Sequence, residues 1–534
     1  MLHEICCDKF YQKRIVFNPG LSVVLGTNTG DNSIGKSTFL LIVDYVFGGS
    51  TYAQTEDIIR NVGSHDIYFA FVFNNELFKF CRNSIESKIV WKCNNAYDKV
   101  EEIRLSDYCK WLDSMYAISL PELSFRDAVG RYIRVYGKNN CNERRPLHYQ
   151  AAEKAETACM ALLKLFDAYI PIKGVETAAR NSDAELTAYK KFQSMHFIEK
   201  INKSTYDKNK NEICSVAAQI DELSSGLEYG LHDVDAAASE QAVYVKNLLS
   251  RARRAKSRLK ARWNLLDENG NYIFSATTDT FLDLQRFFPD ADIAHLEDIE
   301  EFHRIISSVF KSELRAERSK LEKELKEYDR IIREYEAQLK ELVRSPKLSK
   351  MILTQHAALL HKKDQMQKEN ESYEKLQLLK ATRANDLQRL KNIKQQQLAI
   401  VACQLNGAMR QINDTIYEGS YNAPIIDFTD TDYHFFTPDD TGTGIAYKGL
   451  VVYDLAVLKL TRLPILVHDS VVLKQISDDA IEKIIELYSN CGKQVIIALD
   501  KQDSYSDKTY RLLSESAILT LSSNGKELFG RSWG

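Results

Sequence analysis

The sequence has 534 residues, of which 44% are hydrophobic and 27% charged, and its formal net charge is −3. A chain of this length is too long for one hydrophobic core, so we expect two or more domains. The small net charge excludes a protein that is basic throughout, so any nucleic-acid contact must come from local patches. The ten cysteines form no C-x-x-C pair, which indicates reduced thiols, no zinc site and a cytoplasmic protein. The first residues lack a signal-peptide profile, and no apolar run reaches the length of a membrane span.

The first part of the chain predicts short strands, a glycine-rich loop and a helix. The strands are Leu2–Cys6, Arg14–Phe17 and the apolar run Leu21–Leu25. The loop that follows fits the phosphate-loop pattern G-x-x-x-x-G-K-[ST] at every fixed position, from Gly30 to Thr38. The helix is expected over Thr38–Phe47 and is ended by Gly48-Gly49.

This order of strand, loop and helix is the one that a nucleotide site requires. Backbone N–H groups and the positive end of the helix dipole point at one place, which favours an anion. Lys36 is expected to reach the β- and γ-phosphates of ATP, and the Ser37 hydroxyl to bind Mg²⁺. The alternative is a glycine-rich turn before a core helix. The residues predicted to bind the nucleotide are Gly30, Asn32, Ser33, Ile34, Gly35, Lys36, Ser37 and Thr38.

Residues 66–145 predict an antiparallel sheet, two helices and a group of arginines. The strands are Asp66–Phe73, Leu77–Cys81 and Lys88–Cys93, and the helices are Leu105–Tyr116 and Phe125–Tyr136. The arginines are Arg126, Arg131, Arg134, Arg144 and Arg145. Either they contact phosphates or they form a solvated surface.

From about residue 180 the composition changes to the polar residues that are typical of long helices. Apolar residues keep a spacing of three and four from Ile213 to Leu227, and a heptad pattern extends from Leu321 to Leu342. A stripe this narrow needs a second helix to cover it, which predicts an antiparallel coiled-coil arm over 181–420. Aromatic residues between 263 and 300 indicate a small packed knob, and Ser345-Pro346 should interrupt the helix.

One helix of this region, predicted over Asp235–Arg262, ends in a basic run. The run contains Arg251, Arg253, Arg254, Lys256, Arg258, Lys260 and Arg262, and no acidic residue. Ala252, Ala255 and Leu259 form an apolar stripe beneath it. The basic face either contacts nucleic-acid phosphates or is the solvated side of an arm.

Residues 421–534 return to the composition of a globular α/β domain. The predicted elements are strands Ile425–Phe428, Tyr433–Phe436, Leu463–His468 and Gln494–Leu499, and a helix over Tyr447–Leu460. Asp469-Ser470 and Asp500 directly follow the last two strands. If an antiparallel hairpin returns the chain to its start, 1–180 and 421–534 can complete one parallel sheet. Asp469 would then direct a second oxygen to Mg²⁺ near Lys36.

On Gly30–Thr38, on Thr441-Gly442-Thr443-Gly444 and on the run Leu463–Ser470, the chain resembles the SMC/RecN-like ABC ATPases, and most closely the YydD-like proteins of bacterial multi-component operons. The resemblance implies an α/β P-loop head of the ABC type, split into two halves by the inserted coiled coil. It also implies a homodimer in which two heads close on two ATP molecules. Thr443 and Gly444, which belong to the loop-plus-helix signature of these ATPases, would then contact the γ-phosphate across the dimer, as a small hydroxyl residue and a flexible glycine at a helix N-terminus allow.

The sequence departs from the pattern of these ATPases in the expected hydrolytic groups. Ser470 stands where a glutamate usually orients the attacking water, and Asp500 lies near the position of a usual histidine. We therefore expect slow hydrolysis, with catalytic roles for Lys36, Asp469, Ser470 and Asp500. No C-x-x-C pair marks the tip of the coiled coil, so the arms are not joined through zinc in that way.

The leading hypothesis is an ATP-gated dimer that senses or handles DNA and signals to an effector or nuclease from the same operon, as in phage defence. The alternatives are a DNA-repair mediator of RecF or RecN type, and a non-hydrolysing scaffold that ATP locks. A membrane-transporter ATPase is disfavoured because such subunits do not insert a coiled coil between loop and signature. A neighbouring nuclease or toxin gene would favour defence, and a turnover assay would separate either activity from the scaffold.

Overall fold

A computed structural model describes residues 1–28, 30–229, 237–272, 293–342 and 350–533. The backbone forms two compact units, which we call the head unit (Met1–Gly174 with Lys391–Gly534) and the arm unit (Val175–Leu390). The division at Lys391 falls inside one continuous helix, Lys350–Tyr417. The composition of the sequence changes only later, near residue 420.

A parallel five-stranded sheet lies at the centre of the head unit. Its strands are β3 (Leu21–Leu25), β8 (Ile133–Arg134), β11 (Ile465–His468), β12 (Gln494–Leu499) and β13 (Ala517–Thr520). They lie in the order β13-β3-β12-β11-β8, and every neighbouring pair is parallel. Strands from both ends of the chain therefore share one sheet. The strands are buried on both faces, which explains their nearly continuous apolar sequences.

Two antiparallel sheets complete the β-structure of the head unit. Six strands pair in the order β2-β1-β4-β5-β6-β7, and two more form the pair β9–β10. Their bounds are β1 Leu2–Cys6, β2 Arg14–Val16, β4 Asp66–Phe73, β5 Glu76–Asn83, β6 Ile89–Cys93, β7 Lys99–Arg104, β9 Ile425–Phe428 and β10 Tyr433–Phe436. Asn74 and Asn75 have φ of 50° and 64°, as a tight two-residue hairpin turn requires.

The α-helices of the described residues belong to both units. In chain order they are α1 Lys36–Val46, α2 Thr51–Gln54, α3 Glu56–Val62, α4 Leu105–Met115, α5 Phe125–Val129, α6 Ala155–Leu165, α7 Ile170–Ser194, α8 Lys203–Tyr229, α9 Ala237–Tyr272, α10 Ile293–Leu342, α11 Lys350–Tyr417, α12 Thr443–Leu460, α13 Ser470–Leu473, α14 Asp478–Asn490 and α15 Asp507–Glu515. Across the described residues, no helix combines the length and the hydropathy needed to cross a membrane.

The helix predicted over Phe125–Tyr136 is wrong in its second half. The α-helix ends at Val129, a 3-10 turn follows over Gly130–Tyr132, and the chain then enters β8. Gly130 is packed closely, because an added Cβ would lie 2.5 Å from a Tyr149 ring carbon. This tight packing marks the point where the chain leaves the helix and joins the edge of the parallel sheet.

The helices of the arm unit pack side by side through narrow apolar contacts. Val216 and Ile220 of α8 pack on Met366 of α11, and Leu186 and Tyr189 of α7 pack on Leu376 of the same helix. The predicted seam on α10 is buried or half-buried from Leu321 to Leu339, while the positions between its residues are mostly exposed. These contacts follow the spacing by which the sequence predicts helix pairing.

Helices α9 and α10 run in opposite directions, as their ion pairs show. Along α9 the basic residues meet α10 in reverse order, with Arg253 on Glu336, Lys256 on Asp329 and Arg262 on Glu317. The basic run therefore has acidic partners on a neighbouring helix, a pairing that the run's own composition does not reveal. The positive charges of the run are therefore partly neutralised by acidic residues of α10.

Two further expectations for this region need correction. The predicted knob over 263–300 is absent from its described parts, because residues 263–272 continue α9 and residues 293–300 begin α10. Trp263 instead lies beneath the Arg318 guanidinium, 4.5 Å from ring centre to Cζ. The remaining knob residues, the predicted break at Ser345-Pro346 and the helix start at Asp235 lie outside the described residues.

Candidate nucleotide-binding site

The glycine-rich loop leads directly from β3 into α1. Gly30, Ser33 and Gly35 have φ of 74°, 59° and 99°, so the chain turns repeatedly in the left-handed region that glycine favours. Gly35 precedes the first helical residue, Lys36. An added Cβ at Gly35 would lie 2.5 Å from the Leu528 Cβ. The loop therefore needs glycine at this position for both its backbone angle and its packing.

The Lys36 side chain is buried at the start of α1, with 7% of it exposed. Its Nζ donates a hydrogen bond to the Asp31 backbone carbonyl at 3.0 Å, which folds the loop around the ammonium. The same Nζ lies 2.8 Å from Oδ1 of Asp500. The predicted lysine and aspartate are thus in direct contact, although they lie 464 positions apart in the sequence (500 − 36).

Asp500 reaches Lys36 because their strands are neighbours. Leu499 at the end of β12 pairs with Leu25 at the end of β3, so Asp500 lies beside Gly26. An added Cβ at Gly26 would lie 1.9 Å from Oδ1 of Asp500, and only glycine leaves room for the carboxylate. The other oxygen, Oδ2, lies 3.2 Å from Lys474 Nζ. Asp500 is therefore paired with two lysines.

Asp469 lies at the same edge of the sheet, after the neighbouring strand β11. It is fully buried, and its oxygens accept hydrogen bonds from the Ser470 N–H at 2.7 Å and the Tyr136 N–H at 3.0 Å. The Ser470 hydroxyl is 3.3 Å from Oδ1. These donors fix the orientation of the carboxylate, and Oδ2, which accepts only the Tyr136 N–H, retains a second lone pair.

The oxygen atoms of Ser37 and Asp469 are suitable ligands for a magnesium ion that binds together with a nucleotide. Ser37 and Thr38 occupy the first turn of α1 and are half-buried, while Asn32 and Ser33 are exposed on the loop and Ile34 is buried. Mg²⁺ prefers oxygen ligands and usually binds one or two protein groups together with phosphates and water. Among the described residues, no three His, Cys, Asp or Glu side chains form an all-protein metal cage. The Ser37 hydroxyl and the Asp469 carboxylate fit this partial role.

The proposed signature residues lie at the start of α12. Thr443 is exposed as the first helical residue, and Gly444 packs on the segment after α13, where an added Cβ would lie 2.6 Å from the Gln475 carbonyl oxygen. In the described part of the chain, no hydrogen bond or ion pair joins Thr443 or Gly444 to the phosphate loop. The helix predicted from Tyr447 begins four residues earlier (447 − 443), so Thr443 and Gly444 belong to its first turn.

Four of the five arginines form ion pairs within the protein, so as a group they are neither free to contact phosphates nor a solvated surface. Their partners are Asp44 for Arg126, Glu153 for Arg131, Asp454 for Arg134 and Asp432 for Arg145. Arg131 and Arg134 are buried, and such a carboxylate compensates the charge of a buried guanidinium. Arg144 alone remains strongly exposed, with 78% of its side chain accessible.

His468, the residue before Asp469, is held away from the site. Its Nε2 lies 2.8 Å from Oδ2 of Asp454, and its Nδ1 lies 2.6 Å from the Tyr488 hydroxyl. Burial lowers the pKa of His468, against the opposing effect of Asp454. A neutral imidazole that donates from Nε2 and accepts at Nδ1 satisfies both partners. His468 is therefore a core residue and not a base for the site.

Sequence reasoning missed Gly26, Asp31 and Lys474. Gly26 carried a usable signal, since it directly follows a buried strand and precedes the phosphate loop. Asp31 bonds Lys36 through its backbone carbonyl, which any residue could supply, while its carboxylate accepts a hydrogen bond from the Ser523 hydroxyl. Lys474 follows a short helix, and nothing in its local sequence indicates that it reaches Asp500.

Comparisons with known proteins give similarity at the level of family and shape. Residues 412–533 match a family described as an uncharacterised protein conserved in bacteria (DUF2326). No curated protein matches the chain in sequence. The structure is similar to the Smc head domain with a coiled coil and joint from Pyrococcus yayanosii, at 12% identity and a TM-score of 0.44, over 100% of this chain and 96% of that one. It is also similar to the Smc head domain with an extended coiled coil from Pyrococcus furiosus, bound there to the C-terminal domain of ScpA, at 11% identity and a TM-score of 0.37, over 99% and 94% of the two chains.

Proposed function

We propose that the chain is an ATPase of the SMC-like ABC type, in which a phosphate-loop head carries a helical arm. The observation that carries this proposal is the position of Lys36. Its ammonium lies at the N-terminus of α1 and at the carboxyl edge of a parallel sheet, where anionic ligands bind in such folds. The anion already in contact with it, Asp500, supports a site built for negative charge.

Each predicted site residue has a role that its surroundings allow. The N–H groups of the loop and of the first turn of α1 bind phosphate oxygens, and Lys36 neutralises the β- and γ-phosphates. Ser37 and Asp469 supply the protein ligands of Mg²⁺, which neutralises charge on the phosphates when it is bound. The buried position of Asp469 and its backbone donors support a carboxylate held in one orientation.

Dimerisation is the next part of the proposal. Thr443 and Gly444 start a helix of 18 residues that has no acidic residue in its first turn, which suits a phosphate contact. Among the described residues, no hydrogen bond or ion pair joins Thr443 or Gly444 to the phosphate loop of the same chain. We therefore assign the start of this helix to the nucleotide that a second copy binds. ATP would then close two heads, with DNA as the ligand of the assembly and an effector protein as its partner in defence.

The test is ATP binding and turnover by the full chain, with and without duplex DNA, measured together with dimerisation. Lys36→Ala should abolish ATP binding, because this ammonium is the cation that the loop presents. Lys110→Ala is the matched control, since Lys110 is an exposed lysine of α4 with 80% of its side chain accessible. Unchanged ATP affinity in folded Lys36→Ala protein would refute the site.

A second candidate function is a scaffold in which ATP locks the dimer without rapid hydrolysis. Ser470 favours it, because its N–H and hydroxyl both serve Asp469 and a serine is a poor proton acceptor near neutral pH. Single-turnover measurements on the ATP-bound dimer separate the two functions. A dimer that persists while its ATP stays intact identifies the scaffold.

A further inference from the structure

We propose that Asp500 is an internal substitute for phosphate, which holds Lys36 until a nucleotide displaces it, and that Lys474 is the positioning residue that makes this exchange possible. The inference rests on the proposed ATP site and adds a mechanism that sets its affinity. Neither the glycine-rich loop pattern nor the position of Asp469 requires it.

The geometry places one carboxylate between two cations of different accessibility. Oδ1 of Asp500 faces Lys36, of which 7% is exposed, and Oδ2 faces Lys474, of which 44% is exposed. The Asp500 side chain itself is 3% exposed. The carboxylate thus has an inner partner in the phosphate loop and an outer partner near solvent.

An arriving phosphate must compete with this carboxylate for the same ammonium. Lys36 Nζ already lies 2.8 Å from a carboxylate oxygen of Asp500, an ion-pair contact without hydrogen-bond geometry, and it donates a hydrogen bond to a carbonyl oxygen at 3.0 Å. A nucleotide that engages Lys36 therefore separates an existing buried ion pair. Separation leaves Asp500 charged in a buried position, which is costly unless another cation stays with it.

Lys474 is that cation. Because its contact is with the other carboxylate oxygen, it can keep Asp500 compensated after Lys36 has turned to the phosphate. Lys474 follows α13 directly, and the next residue, Gln475, is the one whose carbonyl packs on Gly444. The residue that compensates Asp500 therefore belongs to the segment that contacts the start of α12.

The size of the effect follows from population arithmetic. The free protein binds phosphate only in the minor state in which Lys36 has left Asp500, and minor states of this kind are typically about 0.1–10% populated. The apparent affinity is reduced by that fraction. Removing the competing charge should therefore tighten nucleotide binding by on the order of tenfold or more.

The experiment measures ATP affinity calorimetrically in EDTA, so that metal ligation does not contribute. Asp500→Asn keeps the shape of the side chain and removes its charge, and should tighten ATP binding about tenfold. Lys474→Gln should weaken binding, and Lys474→Arg should restore it. In the double variant Asp500→Asn/Lys474→Gln the effect of the lysine change should vanish, because Lys474 acts through Asp500. Melting temperatures of all variants report whether each one is folded.

The outcomes separate this inference from the proposed function. If the wild type binds ATP and Lys36→Ala does not, but Asp500→Asn has wild-type or weaker affinity, the exchange is refuted while the site stands. If Lys474→Gln still weakens binding in the Asp500→Asn background, Lys474 contacts the nucleotide directly and its positioning role is refuted. If folded wild-type protein and Asp500→Asn both fail to bind ATP, the proposed function itself has failed.

Discussion

Arg134 and Asp454 form an ion pair in which neither side chain has any solvent exposure. The Arg134 Nη2 donates to Oδ1 of Asp454 at 2.7 Å, and the same guanidinium donates to the carbonyls of Asn140 and Pro146. Arg134 belongs to β8, and Asp454 belongs to α12, which starts with the proposed signature residues. The pair therefore fastens the outermost strand of the parallel sheet to the helix that is proposed to cover a second copy's nucleotide.

Breaking this pair should strongly destabilise the protein. Asp454→Asn keeps the size of the side chain but leaves the Arg134 charge buried without its counter-ion, which typically costs about 3–5 kcal/mol. Chemical denaturation of the full chain measures the loss of unfolding free energy. Asp107→Asn is the control, because its partner Lys110 is 80% exposed and such surface pairs contribute about 0–1 kcal/mol. Equal losses in both variants would contradict the structural role of the buried pair.

Much of the fold was predictable because its signals are local. The phosphate loop and the buried strands each depend on a few consecutive residues. Strand β8 was missed because it contains only two residues and owes its conformation to pairing with β11. Helix α9 was predicted to end at Arg262 but continues to Tyr272, because the aromatic residues that follow Arg262 indicate a packed knob by composition alone.

The candidate site was predictable in its parts but not in its connections. Lys36, Asp469 and Asp500 could be chosen because each stands at the end of a strand or the start of a helix. The contact between Lys36 and Asp500 depends on β12 lying beside β3, which no local pattern encodes. For the same reason the arginines were misread, as their carboxylate partners lie far away in the sequence.

Protonation of His468 should make stability fall on acidification. Burial lowers the pKa of His468 in the folded protein, whereas an unfolded histidine takes up its proton near pH 6.5. Below about pH 6.5 the unfolded state therefore binds more protons, and stability decreases until the pH reaches the folded-state pKa, by up to about 1.4 kcal/mol per pH unit. Denaturation of wild type and His468→Gln between pH 5 and 7.5 should give a shallower slope for the variant. Identical slopes would show that His468 does not titrate in this way.

Gly444→Ala should disturb the signature end more than Gly442→Ala. An added Cβ at Gly444 would lie 2.6 Å from the Gln475 backbone oxygen, whereas one at Gly442 would lie 3.2 Å from a side-chain oxygen of Asp440. Backbone cannot yield as a side chain can, so α12 or the segment after α13 must shift. We expect Gly444→Ala to reduce ATP-dependent dimerisation by on the order of tenfold, about 1.4 kcal/mol, with Gly442→Ala closer to wild type. The reverse order would contradict the packing argument.

Charge reversal on α9 tests whether the arm contacts DNA. Arg254 and Arg258 are exposed, whereas Arg253 and Lys256 already face acidic residues of α10. Arg254→Glu/Arg258→Glu should weaken duplex binding equally for all sequences and flatten its salt dependence, because phosphate contacts release counterions without reading bases. Reversing Lys380 and Arg389, exposed residues of α11, controls for net charge. An unchanged salt slope would assign the α9 face to arm packing or to a protein partner.

Hydrolysis should be slow in the wild type and faster in Ser470→Glu. Ser470 follows the buried carboxylate of Asp469 and donates to it from both N–H and hydroxyl, so the substitution keeps the backbone donor and adds a proton acceptor. General-base catalysis typically contributes about 10²–10⁴-fold, and we expect single-turnover ATP cleavage to rise by at least about tenfold. Ser470→Gln is the matched control, because it has nearly the same size but cannot accept the proton.

The same assay decides whether Asp500 has taken over the missing role. It stands after β12, the strand next to that of Asp469, and the exchange with Lys36 would free its carboxylate once a nucleotide has bound. If Asp500 then accepts the proton, Asp500→Asn should bind ATP more tightly yet cleave it more slowly at saturation. Phosphoryl transfer depends mainly on positioning and charge, so some cleavage should survive in both variants. Fast wild-type turnover that Asp500→Asn leaves unchanged would show that another group acts as the base. It would also contradict the expectation that a serine at position 470 makes hydrolysis slow.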